Sequence, residues 1–371
     1  SFNDRVRDAA IGGSPFTDPR QQGLMTGLYL RPWPEEEGVP QGDKEQQLRD
    51  LLVSTDKVRI ALMGSLRKYT LREDCAGVKG VLAEEAHGGL VAYTAQPEEI
   101  VNYVSAHDNE TLYDNTVWKM PSSLFTPEER MRANWLCSAI VIFANGIPFI
   151  HAGDEVLRSK SLDRDSYNSG DWFNLLDFSG KRSAFGTGLP PKGKNGEKWE
   201  MMRPMLRDAS LRPTPEMAAA TTSKICEFLQ VRRSTPLIGL TRAEDVLAKL
   251  DFPGCGAAQE PGVIVMQVRN GPSSAADGGD SLLCPSLARV VVVLSARLEE
   301  VRVPVPEGGA AEDGKFCEAG KSPLKLHPLQ AKSDDPATRL VRVEGSELVL
   351  PPQAAVVFVE ALPGQEAWLE A

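Results

Sequence analysis

The chain has 371 residues, of which 42% are hydrophobic and 25% charged, and a formal net charge of −10. That length favours two cores over one, and the composition is that of a packed globular protein rather than a disordered or fibrous chain. Its acidity, with no dense Lys/Arg cluster, argues against nucleic acid as a partner, and its longest apolar stretch, 137–150, is interrupted by Ser138, Asn145, Gly146 and Pro148 and too short to span a bilayer.

The chain opens Ser1-Phe2-Asn3-Asp4-Arg5, with neither an initiator Met nor the basic-then-apolar layout of a signal peptide, so it is expected to start within a longer protein. Phe16 follows in the turn-rich segment Gly12-Gly13-Ser14-Pro15-Phe16; its ring could face a sugar, but from the residues alone the core is its expected home. From about 50 to 235, helical and short apolar segments alternate. Residues 100–105 predict a strand, and His107-Asp108-Asn109 stands directly after it, at the C-terminal mouth of a parallel sheet or barrel. A carboxylate there, flanked by an imidazole and an amide, suits hydrogen bonding to sugar hydroxyls and stabilisation of positive charge at an anomeric carbon. The competing reading is an Asp that N-caps a helix starting at Glu110 or Thr111, and spacing alone leaves both open.

Further on, Thr126-Pro127-Glu128-Glu129 supplies an N-cap, a Pro at the first helical position and a capping-box Glu, and Gly146 ends the predicted helix. Residues 147–150 predict a short buried strand, which continues the strand–helix rhythm of a parallel sheet or barrel. The run 158–174 mixes charged, hydroxyl, amide and aromatic side chains, a composition suited to sugars and equally to a solvated loop held by internal salt bridges. Residues 186–198 predict a loop with little to bury. Thr214-Pro215-Glu216 caps a helix that turns Ile225, Phe228, Leu229 and Val231 inward and closes the first domain near Pro236. Beyond it, β-branched runs at 263–268, 290–294, 301–305, 340–343, 348–350 and 354–359 predict a small antiparallel sandwich, with 271–280 as a loop. The expected organisation is therefore 1–235 and 236–371.

Six cysteines, at 75, 137, 226, 255, 284 and 317, form no C-x-x-C pair and read as incidental thiols of a reducing compartment. The histidines at 87, 107, 151 and 327 have no metal-ligand spacing, so no metal site is predicted. No phosphate-cradling Gly loop and no G-x-S-x-G elbow occurs, which leaves nucleotide chemistry and serine hydrolysis unsupported.

Taken together, residues 1–8, the string Asn102-Tyr103-Val104-Ser105-Ala106-His107-Asp108-Asn109-Glu110-Thr111-Leu112, residues 146–155, the run 158–174 and Leu326-His327-Pro328-Leu329-Gln330 resemble the pullulanases and plant or algal limit dextrinases of the α-amylase superfamily. The run 158–174 is the specific part, because isoamylases and branching enzymes share H-D-N without it. The resemblance implies an α/β fold, the second part of a (β/α)8 TIM barrel followed by a C-terminal antiparallel β-sandwich. It implies an α-1,6-glucosidase that debranches pullulan, limit dextrins and starch-type α-glucans by a retaining mechanism. Asp108 would be its transition-state-stabilising carboxylate, with His107 and Asn109 beside it on the same sugar. Arg164, Asp165 and Tyr167 would line the non-reducing side of the cleft, and Phe16 would support the acceptor chain. The nucleophilic Asp and the acid/base Glu would lie upstream of Ser1, making the N-terminal remainder a required partner and this chain inactive alone. No organic cofactor is implied and no calcium site is readable; the location would be the plastid stroma in a plant or alga and the cytoplasm otherwise. The alternative from another class is a non-catalytic α-glucan-binding or scaffolding fragment; a third reading is an isoamylase-like or transglycosylating enzyme.

Overall fold

The computed structural model describes residues 1–71, 91–256, 259–274, 281–307 and 324–369. Cys75, His87, Cys317 and the second half of the predicted 271–280 loop lie outside the described residues.

The first part is helical. It contains α1 (Asp4–Ile11), α2 (Lys44–Leu62), α3 (Leu112–Lys119), α4 (Pro127–Phe143), α5 (Asp171–Asn174), α6 (Lys192–Asn195), α7 (Trp199–Arg207) and α8 (Pro215–Arg233). The longer of these begin where a polar side chain satisfies an otherwise unpaired backbone N–H: Asn3, Asp43, Thr111, Thr126 and Thr214 cap α1, α2, α3, α4 and α8. The expected capping box at Thr126 and Glu129 forms, and α4 ends at Phe143, before Gly146, whose φ of 99° turns the chain.

Short parallel strands set the framework between the helices. β1 (Val101–Asn102) pairs in parallel with β2 (Ile147–Pro148), and Phe2 bridges to Val101 on the other side, also in parallel. Buried Asn102 ties this framework together, accepting from Asn3 Nδ2 at 2.8 Å and donating to Asn145 O at 2.9 Å. The expected strand over 147–150 is therefore shorter, and it is not buried: Ile147 is 47% and Phe149 36% exposed. β2 has a strand neighbour on one side only among the described residues, so its side chains are only partly covered.

In the second part α9 (Ala243–Lys249) precedes β3 (Leu250–Asp251), β4 (Val263–Arg269), β5 (Leu287–Ser295), β6 (Val301–Pro304), β7 (Lys325–Leu326), α10 (Pro328–Ala331), β8 (Arg342–Glu344), β9 (Glu347–Leu350) and β10 (Ala354–Ala361). They form two antiparallel sheets, in the orders β3-β4-β5-β10-β7 and β6-β9-β8. Period-2 alternation explains the valine run of β5. Val291 and Val293 join Val356 and Phe358 of β10 and Leu348 and Leu350 of β9 in the core between the sheets. Val290, Val292 and Leu294 belong instead to the core shared with α4 and α8, which therefore continues past residue 235. A strand buried on both faces shows no polar alternation.

The run 340–343 departs from expectation: a 3-10 turn over Thr338–Leu340 precedes β8, and Leu340 is 65% exposed. The sequence reading also missed β3 and β7, which at two residues each are too short to carry periodicity. The segment 326–330 joins the two parts. His327 N donates to Val357 O at 2.8 Å, its ring meets Ser234 Oγ at 2.9 Å, and buried Gln330 accepts from Val357 N at 2.7 Å and donates to Ala355 O at 3.1 Å.

Candidate active site

The residues after β1 and those after α1 come together around a cleft of about 400 Å³, whose lining includes Phe16, Tyr103, His107, Asp108, Asn109 and Lys119. Phe2 supplies an apolar floor, packing edge-on against Tyr103 and Phe149 with ring centroids 5.3 and 5.6 Å away.

Asp108 stands on the loop between β1 and α3. Its carboxylate is 78% exposed and lies 3.6 Å from His107 Nε2, whose ring is 86% exposed. The helix-capping alternative is taken by another residue, since Thr111 Oγ1 accepts from Asp114 N at 3.1 Å and caps α3. Asp108 is thus free to face the cleft. Asn109 adopts φ 63°, a left-handed conformation that a non-glycine residue rarely holds.

Phe16 is 90% exposed, so the core placement expected from the residues alone is wrong. The cause is local: Ser14 N donates to Thr17 Oγ1 at 2.9 Å and Thr17 N to Ser14 O at 3.2 Å, closing a polar turn that lifts the ring away from the protein. Lys119, fully buried at the end of α3, donates to Pro19 O at 2.9 Å and Gln21 O at 3.0 Å and fixes the far side of this loop.

The run 158–174 divides in two. Residues 159–163 are buried, which corrects the picture of a solvated loop, whereas Tyr167 is 84% exposed. Arg164 reaches the Phe16 loop, donating to Pro15 O at 3.1 Å, although it does not line the cleft. Asp165 pairs with Lys194 at 3.4 Å, and neither it nor Tyr167 lines the cleft. The loop expected over 186–198 contains α6, and its Asn195 is buried because its amide donates to Asp163 Oδ1 at 2.9 Å and accepts from Arg164 N at 3.2 Å.

Behind the cleft lie groups that sequence reasoning missed. Asp114 of α3 is fully buried and accepts from Ser159 Oγ at 2.5 Å and Lys160 N at 2.7 Å; burial pushes its carboxyl up to about 6 against those bonds. Lys160, 1% exposed, donates to Asn109 O at 2.5 Å and His107 O at 3.4 Å. Burial likewise raises Asp154, the acceptor for Ser105 Oγ, to about 7 and lowers Lys119 to about 8. At the rim, Arg7 donates to Asp8 at 2.7 Å and to Tyr103 OH at 2.8 Å, and Tyr103 OH donates to Asp4 at 2.5 Å; burial and Asp4 raise the phenol. No signal short of knowing that 107–109 and 160 meet would have found Lys160. Among the described residues, no group of three or more His, Cys, Asp or Glu is placed to hold a metal ion.

A cleft with an exposed carboxylate, an imidazole, a rim of carboxylates and the Arg7 guanidinium, and an aromatic ring opposite suits a neutral, hydroxyl-rich ligand with apolar faces. Residues 180–361 match the family described as Alpha-1,6-glucosidases, pullulanase-type, C-terminal. Along the chain, identity is 40% to "Pullulanase 1, chloroplastic" of Arabidopsis thaliana, over 98% of this chain and 36% of that protein. Identity to the pullulanase of Klebsiella aerogenes is 33%, over 75% of this chain and 25% of that one. The structure of Klebsiella pneumoniae pullulanase complexed with maltotriose superposes with a TM-score of 0.82 at 28% identity, covering 98% of this chain and 32% of that one. The chain thus spans between a quarter and just over a third of the length of these relatives.

Proposed function

This chain belongs to the pullulanase family, and from that premise we propose that it is the C-terminal portion of a debranching enzyme that hydrolyses α-1,6-glucosidic bonds in α-glucans. The observation that carries this reading is the meeting of Asp108, His107 and exposed Phe16 around one cleft. In it, Asp108 stabilises the positive charge that develops at the anomeric carbon, and His107 and Asn109 bind hydroxyls of the same sugar. Phe16 stacks on the acceptor chain, Arg164 steadies the loop that carries Phe16, and Asp165 and Tyr167 extend the donor side.

The nucleophile and the acid/base come from residues outside 1–371, at the two-carboxyl spacing of a retaining glycosidase. Phe2, β1 and β2 are then staves of a (β/α)8 barrel, 1–235 its second part, and 236–371 the family's C-terminal β-sandwich. The reaction needs water and carboxyl groups and no organic cofactor. No helix among the described residues is long and apolar enough to cross a membrane; the chloroplastic relative supports the plastid stroma as the location.

The test is pullulan hydrolysis by the full-length protein and by its Asp108→Asn variant, with about a hundred- to a thousandfold loss of turnover expected and melting temperature retained. Near-normal turnover in the variant removes the role of Asp108. A full-length protein that binds maltotriose but leaves pullulan intact favours the glucan-binding alternative.

A further inference from the structure

We propose that Lys160 is a positioning residue for the reaction: its buried ammonium holds the carbonyls on either side of Asp108, those of His107 and Asn109, and thereby fixes where the Asp108 carboxylate stands. The proposal rests on the reading of Asp108 given above.

Three observations support it. First, residues 106–109 take part in no backbone–backbone hydrogen bond among the described residues, so the loop has no ladder to hold its path. Asn109 keeps a left-handed φ of 63°, which asparagine tolerates better than other non-glycine residues and which therefore does not by itself hold the loop. The Lys160 ammonium, 2.5 Å from Asn109 O, supplies the fixed point that the loop's own backbone lacks.

Second, Lys160 is itself anchored. Its backbone N–H donates to Asp114 Oδ2 at 2.7 Å, and Asp114 sits on α3, whose cap Thr111 directly follows the loop. Ser159 Oγ donates to the other oxygen of Asp114, and Ser161 Oγ donates to Gly188 O at 2.8 Å. The lysine therefore refers the Asp108 loop to the helix behind it.

Third, among the described residues the ammonium pairs with no carboxylate at salt-bridge distance, although it is 1% exposed; Asp114, Asp163 and Glu110 favour its charge only from further away, and burial outweighs them. A buried cation without an ion pair is costly, and an apolar side chain of similar length would fill the space more cheaply. What the ammonium adds is two fixed carbonyls flanking one carboxylate.

The experiment is a double-mutant cycle in the full-length enzyme with pullulan as substrate. Lys160→Met should lower kcat by about thirty- to a hundredfold, because a small displacement of a reacting group has that effect, with KM within about twofold. In the Asp108→Asn background the same change should cost less than about twofold, since the two residues act as one unit. An equal fold loss in both backgrounds, or a folded Lys160→Met enzyme with normal kcat, overturns the proposal and leaves the role of Asp108 standing. Full turnover in Asp108→Asn overturns both. If Lys160→Met does not accumulate as folded protein, Lys160→Gln, which keeps an N–H donor and drops the charge, is carried through the same cycle and judged by the same outcomes.

Discussion

In the β-rich region Arg289 donates to Glu360 at 2.6 Å and Lys249 to Asp245 at 2.6 Å, whereas beneath the cleft Lys119 and Lys160 donate to main-chain carbonyls. Both arrangements satisfy a buried cation. A carboxylate partner neutralises it, within α9 for Lys249 and between two strands for Arg289. A carbonyl partner leaves the charge in place and fixes the path of a loop. Arg289 holds β5 to β10, while Lys119 and Lys160 each hold one of the two loops that face each other across the cleft. At these four positions, buried charge ties the scaffold in the β-rich region and holds loops beneath the cleft, although Arg289 also donates to a carbonyl, that of Pro306, at 2.9 Å.

The largest effect expected from this contrast is in the scaffold. Arg289→Met leaves Glu360 and Gln267 without their partner, and should lower stability by about 3–5 kcal/mol while the folded fraction keeps its turnover on pullulan. Chemical denaturation with activity normalised to folded protein checks this; a loss of turnover in the folded fraction would blur the distinction. Next comes Lys119→Met, which should raise KM for branched dextrins by about tenfold with kcat little changed, because it frees the Phe16 loop and not Asp108. A fall in kcat with unchanged KM would place Lys119 with Lys160 instead. Phe16→Ala should weaken limit-dextrin use by a smaller factor and shift stability by no more than about 0.5 kcal/mol, since the ring is 90% exposed. A marked fall in melting temperature would count against an exposed role.

A separate effect is a pH dependence. Burial raises Asp154 to about 7, so between about pH 4 and 7 the folded protein holds a proton that the unfolded chain has released. Stability therefore falls as pH rises through that window, and the fall is complete above it. Asp154→Asn cannot ionise, so its melting temperature should gain on that of the unsubstituted protein from pH 5 to pH 8. A constant difference across that range would mean that Asp154 is not the group responsible.

The same contrast marks what could be read from the sequence. Elements built from local rules were legible: the Thr126 capping box, the Thr214 cap and the long valine runs of β4, β5 and β10 appear where spacing puts them. The loop that carries the H-D-N triplet was placed correctly after β1, although that strand ends at Asn102 and not at Ser105 as expected. What failed depends on contacts between distant residues. The exposure of Phe16, the burial of 159–163 and the role of Asn195 are set by partners from one turn to some fifty residues away, as with Lys160 and Asn109. Strands of two residues carry no period, so β3 and β7 could only be seen by their pairing.

The Gln330 side chain has a consequence for how the five-stranded sheet ends. On its β7 side, β10 is paired only at Phe358 and Val359. At Ala355 and Val357, where a further strand would bond, the Gln330 amide and His327 N already occupy the free donor and acceptors. One side-chain amide and one backbone N–H thus do what a strand would do, and without extending the sheet. An unpaired row of N–H and C=O groups on a valine-rich strand is a template for joining another chain. Here the template is filled from within, by a glutamine that is itself wholly buried, so this side of β10 is closed by its own chain.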